Sequence, residues 1–139
     1  MRQTARMSDR SVILVGLNGH LVGLDPATGE VLWKNALRGG LEGEVEIATW
    51  GNYVFASATG AKLFAVDYHS GEEVWTVPTS GTGRAVLVVE ENMVMVAKEG
   101  TIDCYDFAGQ RIWSQALRGL GVGNIAMGLP GNIRQADSS

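Results

Sequence analysis

One phrase recurs three times in this chain, about every forty residues, and it limits the available folds more than any other feature. The copies run Leu24-Asp25-Pro26-Ala27-Thr28-Gly29-Glu30-Val31-Leu32-Trp33 and Val66-Asp67-Tyr68-His69-Ser70-Gly71-Glu72-Glu73-Val74-Trp75. The third, one residue shorter, is Tyr105-Asp106-Phe107-Ala108-Gly109-Gln110-Arg111-Ile112-Trp113. In each an Asp opens a turn, a Gly ends it, and a Trp follows four residues after the Gly. A period of this size belongs to propeller blades or solenoid units, so architecture has to be settled before chemistry.

The middle unit reads as four strands. Glu44 to Trp50 alternates apolar with polar, the period of a half-buried strand. Gly51-Asn52 turns the chain into Tyr53–Ala58, Thr59-Gly60-Ala61 turns it into Lys62–Val66, and Asp67–Gly71 turns it into Glu72–Val77. Asn18-Gly19 and Glu99-Gly100 mark tight hairpins in the outer units. No window has a convincing helical period. Four short antiparallel strands in about forty residues describe one blade of an all-β propeller, and the chain holds three blades.

Within the phrase each residue type has a physical task. The Asp at the strand end accepts hydrogen bonds from N–H groups of its own turn. The Gly supplies the positive φ that a tight hairpin needs. The Trp offers a large flat apolar face and an indole N–H that seeks an acceptor, which suits packing between neighbouring blades. Asp25, Gly29, Trp33, Asp67, Gly71, Trp75, Asp106, Gly109 and Trp113 are therefore read as structural.

The phrase Leu-Asp-Pro-Ala-Thr-Gly-Glu-x-x-Trp at Leu24–Trp33 resembles the tryptophan-docking motif of the PQQ-like β-propeller repeat family. That family includes quinoprotein alcohol dehydrogenases and the outer-membrane assembly scaffold of the BamB type. The resemblance spans all but the first nine or so residues and the last six or seven. It implies that Trp33, Trp75 and Trp113 stack against adjacent blades. The shorter turn of the third copy departs from the pattern. A WD40 repeat is a poorer likeness, because no Asp follows any of the three tryptophans.

Aligning the units places residues 10–43 as strands two to four of a first blade, 44–83 as a second and 84–121 as a third. Residues 122–133 are then one strand that completes a first blade, its own or a swapped one. Residues 1–9 and 134–139 are expected to be flexible tails. Propeller rings need about four to eight blades, and three of ordinary twist leave two flanks open. Two copies related by a two-fold axis give six blades, so the chain is expected to form a homodimer and to be half of a six-bladed ring. A ring completed by another chain, or a fragment of a longer protein, are the alternatives.

Bulk properties narrow the partners. The chain has 139 residues, 45% hydrophobic and 19% charged, with a formal net charge of −4. That balance gives no reason to expect nucleic acid or an anionic membrane surface, and slightly favours a basic partner. The three arginines at positions 2, 6 and 10 are read as a solvated terminus. Val12–Val15, the longest early apolar run, is too short for a signal-peptide core or membrane span, so a cytoplasmic location is the default expectation.

No catalytic constellation stands out. Cys104 is the single cysteine, which precludes an internal disulfide and a thiol cluster. His20 and His69 lack partners at metal-ligand spacing, so no metal is expected. The phrase around Asp25 lacks the periodicity of a calcium loop. The stretches 80–84 and 119–123 are rich in glycine but do not open a helix, as phosphate cradling requires. A quinoprotein enzyme would need a larger ring, a calcium site and typically a vicinal disulfide, which the resemblance does not supply here. The expectation is a non-enzymatic binding or scaffold protein without a cofactor, recognising a protein, a peptide or a small polar ligand through its loops. The alternatives are a sugar-binding, lectin-like propeller, with Trp50 and Tyr68 as stacking candidates, and a fragment of a quinoprotein dehydrogenase.

Overall fold

A computed structural model describes residues 12–38, 43–58, 60–81, 84–120 and 125–135. The predicted tail 1–9 and the last four residues lie outside them, as do parts of both glycine-rich stretches. All regular structure among the described residues is β.

The first sheet holds β1 (Ile13–Leu17), β2 (His20–Leu24) and β3 (Val31–Asn35), paired in that order. The second holds β4 (Glu46–Trp50), β5 (Tyr53–Ser57), β6 (Lys62–Asp67) and β7 (Glu73–Pro78). The third holds β8 (Val86–Glu90), β9 (Met93–Lys98), β10 (Thr101–Tyr105) and β11 (Arg111–Ala116). All pairs are antiparallel, so each sheet is a meander in chain order, the propeller-blade architecture that the repeat predicts.

Where residues 122–133 are expected to hold one strand, two are found: β12 (Ala126–Leu129) and β13 (Asn132–Gln135) form a hairpin, packed on β8 of the third blade. It therefore starts a next blade beside the third, and Arg134 and Gln135 are strand rather than tail. The reason is local: Pro130-Gly131 provides the turn, Gly131 sits at φ +81°, and the Asn132 side chain donates to the Val89 carbonyl at 2.9 Å.

Alternation along each strand sends successive side chains to opposite faces, so one blade feeds two cores. Val54, Ala56, Phe64 and Val66 pack with Leu21, Trp33 and Leu37 of the first blade. Phe55, Leu63 and Ala65 turn the other way and pack with Leu87, Val94 and Val96 of the third. A third cluster of Val88, Met95 and Cys104 meets Met127 of the hairpin. Asn18 and Gly19 both have positive φ, 49° and 78°, the geometry of the tight hairpin read from that pair.

Candidate functional site

The three Asp–Gly turns lie where the third strand of each blade hands over to the fourth. A bulge recurs at that point in every blade, at Gly23/Leu24, Ala65/Val66 and Cys104/Tyr105. Asp25 Oδ1 accepts from Ala27 N at 2.8 Å. Asp67 Oδ1 accepts from His69 N and Ser70 N, both at 2.9 Å, and Asp106 Oδ1 from Ala108 N at 2.9 Å and Gln110 N at 3.0 Å. The Ser70 N–H, helped by that of His69 and opposed by slight burial, holds the Asp67 carboxyl below its ordinary value. In the shorter third turn the Gly109 N–H still reaches the Asp106 carbonyl, at 3.1 Å.

The second and third turns also meet the tryptophan of the blade before them. The Trp33 indole donates from Nε1 to the Tyr68 carbonyl at 3.1 Å, and Trp75 Nε1 donates to the Phe107 carbonyl at 2.9 Å. The rings lie on glycine. A Cβ added to Gly71 would stand 2.3 Å from Trp33 Cδ2, and one added to Gly109 would stand 2.9 Å from Trp75 Cδ2. Only a residue without a side chain leaves room for the indole, so this glycine does more than permit positive φ. Trp33 is also backed by Gly23, its cross-strand partner, and is 8% exposed. Trp75 is half-buried over Ala65, while Trp113, opposite Cys104, is 41% exposed. Burial pushes the Cys104 thiol up, with the Asp106 charge adding to it.

The residue after the Asp makes the reverse connection, which sequence reasoning did not assign. The Tyr68 ring packs against the first blade's core, and its hydroxyl donates to the Val12 carbonyl at 2.7 Å and accepts from Val12 N at 2.9 Å. Phe107 enters the aromatic group of Tyr53 and Phe55, both centroids 5.3 Å away. Two aromatics at equivalent positions were the available signal. Tyr68, one of the stacking candidates, thus spends its hydroxyl on the neighbouring blade. Trp50, the other, is 42% exposed and tilted over Phe107 at 6.3 Å. The structure does not bring the two together: Tyr68 faces the first blade and Trp50 the third.

At the opposite rim, the second and third blades are joined by polar groups. Lys98 is 1% exposed, and its ammonium donates to the carbonyls of Ala58, at 3.4 Å, and Gly60. Burial, partly offset by the charge of Glu99, brings the Lys98 amine down to about 8. Asp103, also buried, accepts from Ser80 N at 2.7 Å and from the hydroxyls of Ser80 and Ser114. The Tyr105 hydroxyl donates to the Pro78 carbonyl at 2.7 Å; burial, then the charge of Asp103, pushes it up to about 12.

His20 and His69 are exposed beside their turns. Among the described residues no three His, Cys, Asp or Glu side chains converge on a metal-sized space, and no helix is long and apolar enough to cross a membrane. Where the inner strands of two blades meet the terminal hairpin, a shallow cleft of about 320 Å³ is lined by Ile47, Thr49, Leu87, Val89, Asn132 and Arg134.

The family described as outer membrane protein assembly factor BamB matches residues 17–131. Among solved structures, BamB from Moraxella catarrhalis superposes with a TM-score of 0.68 at 22% identity, over 89% of this chain and 40% of its own. The computationally designed Ika8 protein gives 0.67 at 20% identity, over 90% of this chain and 42% of its own. The quinohemoprotein alcohol dehydrogenase of Comamonas testosteroni gives 0.60 at 22%, over 76% of this chain and 19% of its own. The chain thus spans about two-fifths of the length of the first two, and at these identities the likeness is one of fold. No curated protein matches it.

Proposed function

Since the chain belongs to the family of the outer membrane protein assembly factor BamB, we propose that it is a non-enzymatic β-propeller scaffold. On this reading it assembles with a second copy into a six-bladed ring and recognises a protein or peptide through its loops. The observation that carries this is the apolar surface exposed on the first sheet, the third sheet and the terminal hairpin. Ile13 and Leu17 of β1, Trp113 of β11 and Ile133 of β13 are all exposed, and a protein surface is the natural cover for such a patch. The description of the family as an assembly factor fits a protein partner.

Ring closure has a strand-level requirement. In the two complete blades the innermost strand pairs with the next in sequence, β4 with β5 and β8 with β9. Among the described residues the first blade has no such innermost strand, and on this reading β12 of a second copy supplies it once β13 gives way to the incoming β1. The exchange favours the partner. Strand β1 offers Ile13, Leu14, Val15 and Leu17, whereas β13 offers Ile133 as its one apolar side chain. Multi-angle light scattering on the 14.8 kDa chain is expected to give twice that mass. A stable, folded monomer at every concentration would contradict the reading.

The exposed Trp50, backed by Phe107, supports a second reading, a stacking platform for a sugar ring. A glycan array tests it: binding lost in Trp50→Ala supports a lectin, and silence across all glycans removes it. An absorbance titration with the quinone is expected to show no saturable change. Saturation would return the chain to the quinoprotein enzymes.

A further inference from the structure

Trp33, Trp75 and Trp113 recur with the repeat; Trp50 does not. It ends β4, the innermost strand of the second blade, and the third blade carries Glu90 at the same place on β8. Its indole is exposed although the blades on both sides of it are present. Phe107 of the third blade and the cross-strand Tyr53 back the ring, so it is held in place and still open to water.

The meander sorts charge between the two rims of these blades. Asp67, Glu72, Glu73, Glu90, Glu91 and Asp106 all fall at strand ends or turns of the rim that carries Trp50. Lys62, Arg84, Lys98 and Arg118 fall at the opposite rim, and Arg111, at the start of the outermost strand, is the one Lys or Arg of the two blades on the acidic side. Two of the carboxylates flank the indole. Asp106 precedes Phe107, and the bonds of its turn go to Oδ1, which leaves Oδ2 clear of them. Glu90 ends the strand packed beside β4, and the residues before Trp50 and Glu90, Thr49 and Val89, line one cleft.

From this, we propose that Trp50 is the platform for an arginine side chain of a partner peptide, its guanidinium on the indole and its N–H groups on Glu90 and Asp106. Six carboxylates against one guanidinium draw a cation to this rim and repel an anion. Indole is the best aromatic face for a cation. Arginine fits better than lysine, because its planar fork stacks on a ring while its edge donates to carboxylates. This inference rests on the reading of the chain as a peptide-recognising scaffold, and names the place and chemistry of that recognition.

The probe is the tripeptide Gly-Arg-Gly, acetylated and amidated, with a twin that carries neutral citrulline in place of arginine. Titrated into the full chain at low salt, the arginine peptide is expected to shift the Trp50 indole N–H resonance saturably, and the twin is not. That resonance is the one absent from Trp50→Leu. Read from the backbone amides of Glu91 and Phe107, Trp50→Leu should bind about three- to thirtyfold more weakly, the span from an exposed to a desolvated cation–π contact. Trp50→Phe, which keeps an aromatic face, should lose less. Glu90→Gln should also weaken binding and reduce its dependence on salt. An unchanged circular dichroism spectrum shows that each variant is folded.

An equal response to the citrulline twin would mean stacking without charge, as for a sugar, and would overturn the proposal. So would a Trp50 indole that the arginine peptide leaves unmoved, or an affinity unchanged in Trp50→Leu. None of these results alters the mass measured by light scattering, so the self-assembling scaffold stands or falls separately.

Discussion

The seam between the first and second blades and the seam between the second and third share one joint and differ elsewhere. In the first, Trp33 is enclosed by glycine on both faces, Gly23 behind and Gly71 in front, and the opposite rim is filled by Phe64, Leu37 and Leu21. In the second, Trp75 sits over Ala65 and is half-buried, and the opposite rim depends on Asp103, Lys98 and Tyr105. Phe64 and Asp103 hold the same place in their blades, two residues before the residue that precedes the turn Asp. The difference teaches that the repeat fixes how blades join at the turns, while the far rim can be closed by shape or by hydrogen bonds. An apolar rim needs volume. A polar rim needs each buried donor and acceptor to find its partner, so removing one member strands the others.

The largest contrast is expected from tryptophan deletion. Trp33→Ala should destabilise by about 3–5 kcal/mol, as for a large buried aromatic, and Trp75→Ala by less, because part of its ring is already in water. Urea denaturation of both variants compares them directly. Equal losses would mean that glycine backing does not matter.

Glycine substitution sharpens the same point. Gly71→Ala should cost roughly 2–4 kcal/mol, combining left-handed backbone strain with displacement of Trp33. Gly109→Ala should cost less, because its added carbon would stand 2.9 Å rather than 2.3 Å from the ring. At the polar rim, Asp103→Ala should lose about 1–3 kcal/mol by leaving Ser80 N and the Ser114 hydroxyl without their acceptor.

The smallest effect is a pH dependence. The folded chain holds the Lys98 amine down to about 8, against an ordinary 10.5. Between those values the unfolded chain keeps a proton that the folded chain has shed, so stability rises with pH through that window. Below pH 8 the lysine adds no slope. The wild type minus Lys98→Met difference should climb from about pH 8 toward 10.5, by at most about 1 kcal/mol per pH unit. Comparing the two chains cancels the titration of Cys104 and Tyr105, and a flat difference would contradict the burial argument.

Much of this was legible because the signals were periodic. Strand alternation, the Asn18-Gly19 hairpin and the recurring Asp–Gly–Trp phrase each repeat or follow a known turn rule, and together they gave the all-β blade architecture. What escaped was information that lies between blades. Tyr68 and Phe107 look like ordinary turn residues until the neighbouring sheet is present to receive them. Lys98 and Asp103 look like the polar members of alternating strands, since nothing local says that the facing surface carries carbonyls and a serine. The second strand of the terminal hairpin was hidden by composition. Arg134 and Gln135 follow a single apolar residue, Ile133, and read as the start of a tail rather than as strand.

The second and third blades are each locked to the blade before through an indole on a turn, and indole N–H exchange reports that lock. Nε1–H exchange followed by nuclear magnetic resonance should be slow for Trp33 and Trp75, whose indoles donate to Tyr68 and Phe107 carbonyls. It should be fast for Trp50, which is 42% exposed. Trp33 and Trp75 exchanging as fast as Trp50 would show that the joints do not hold in solution.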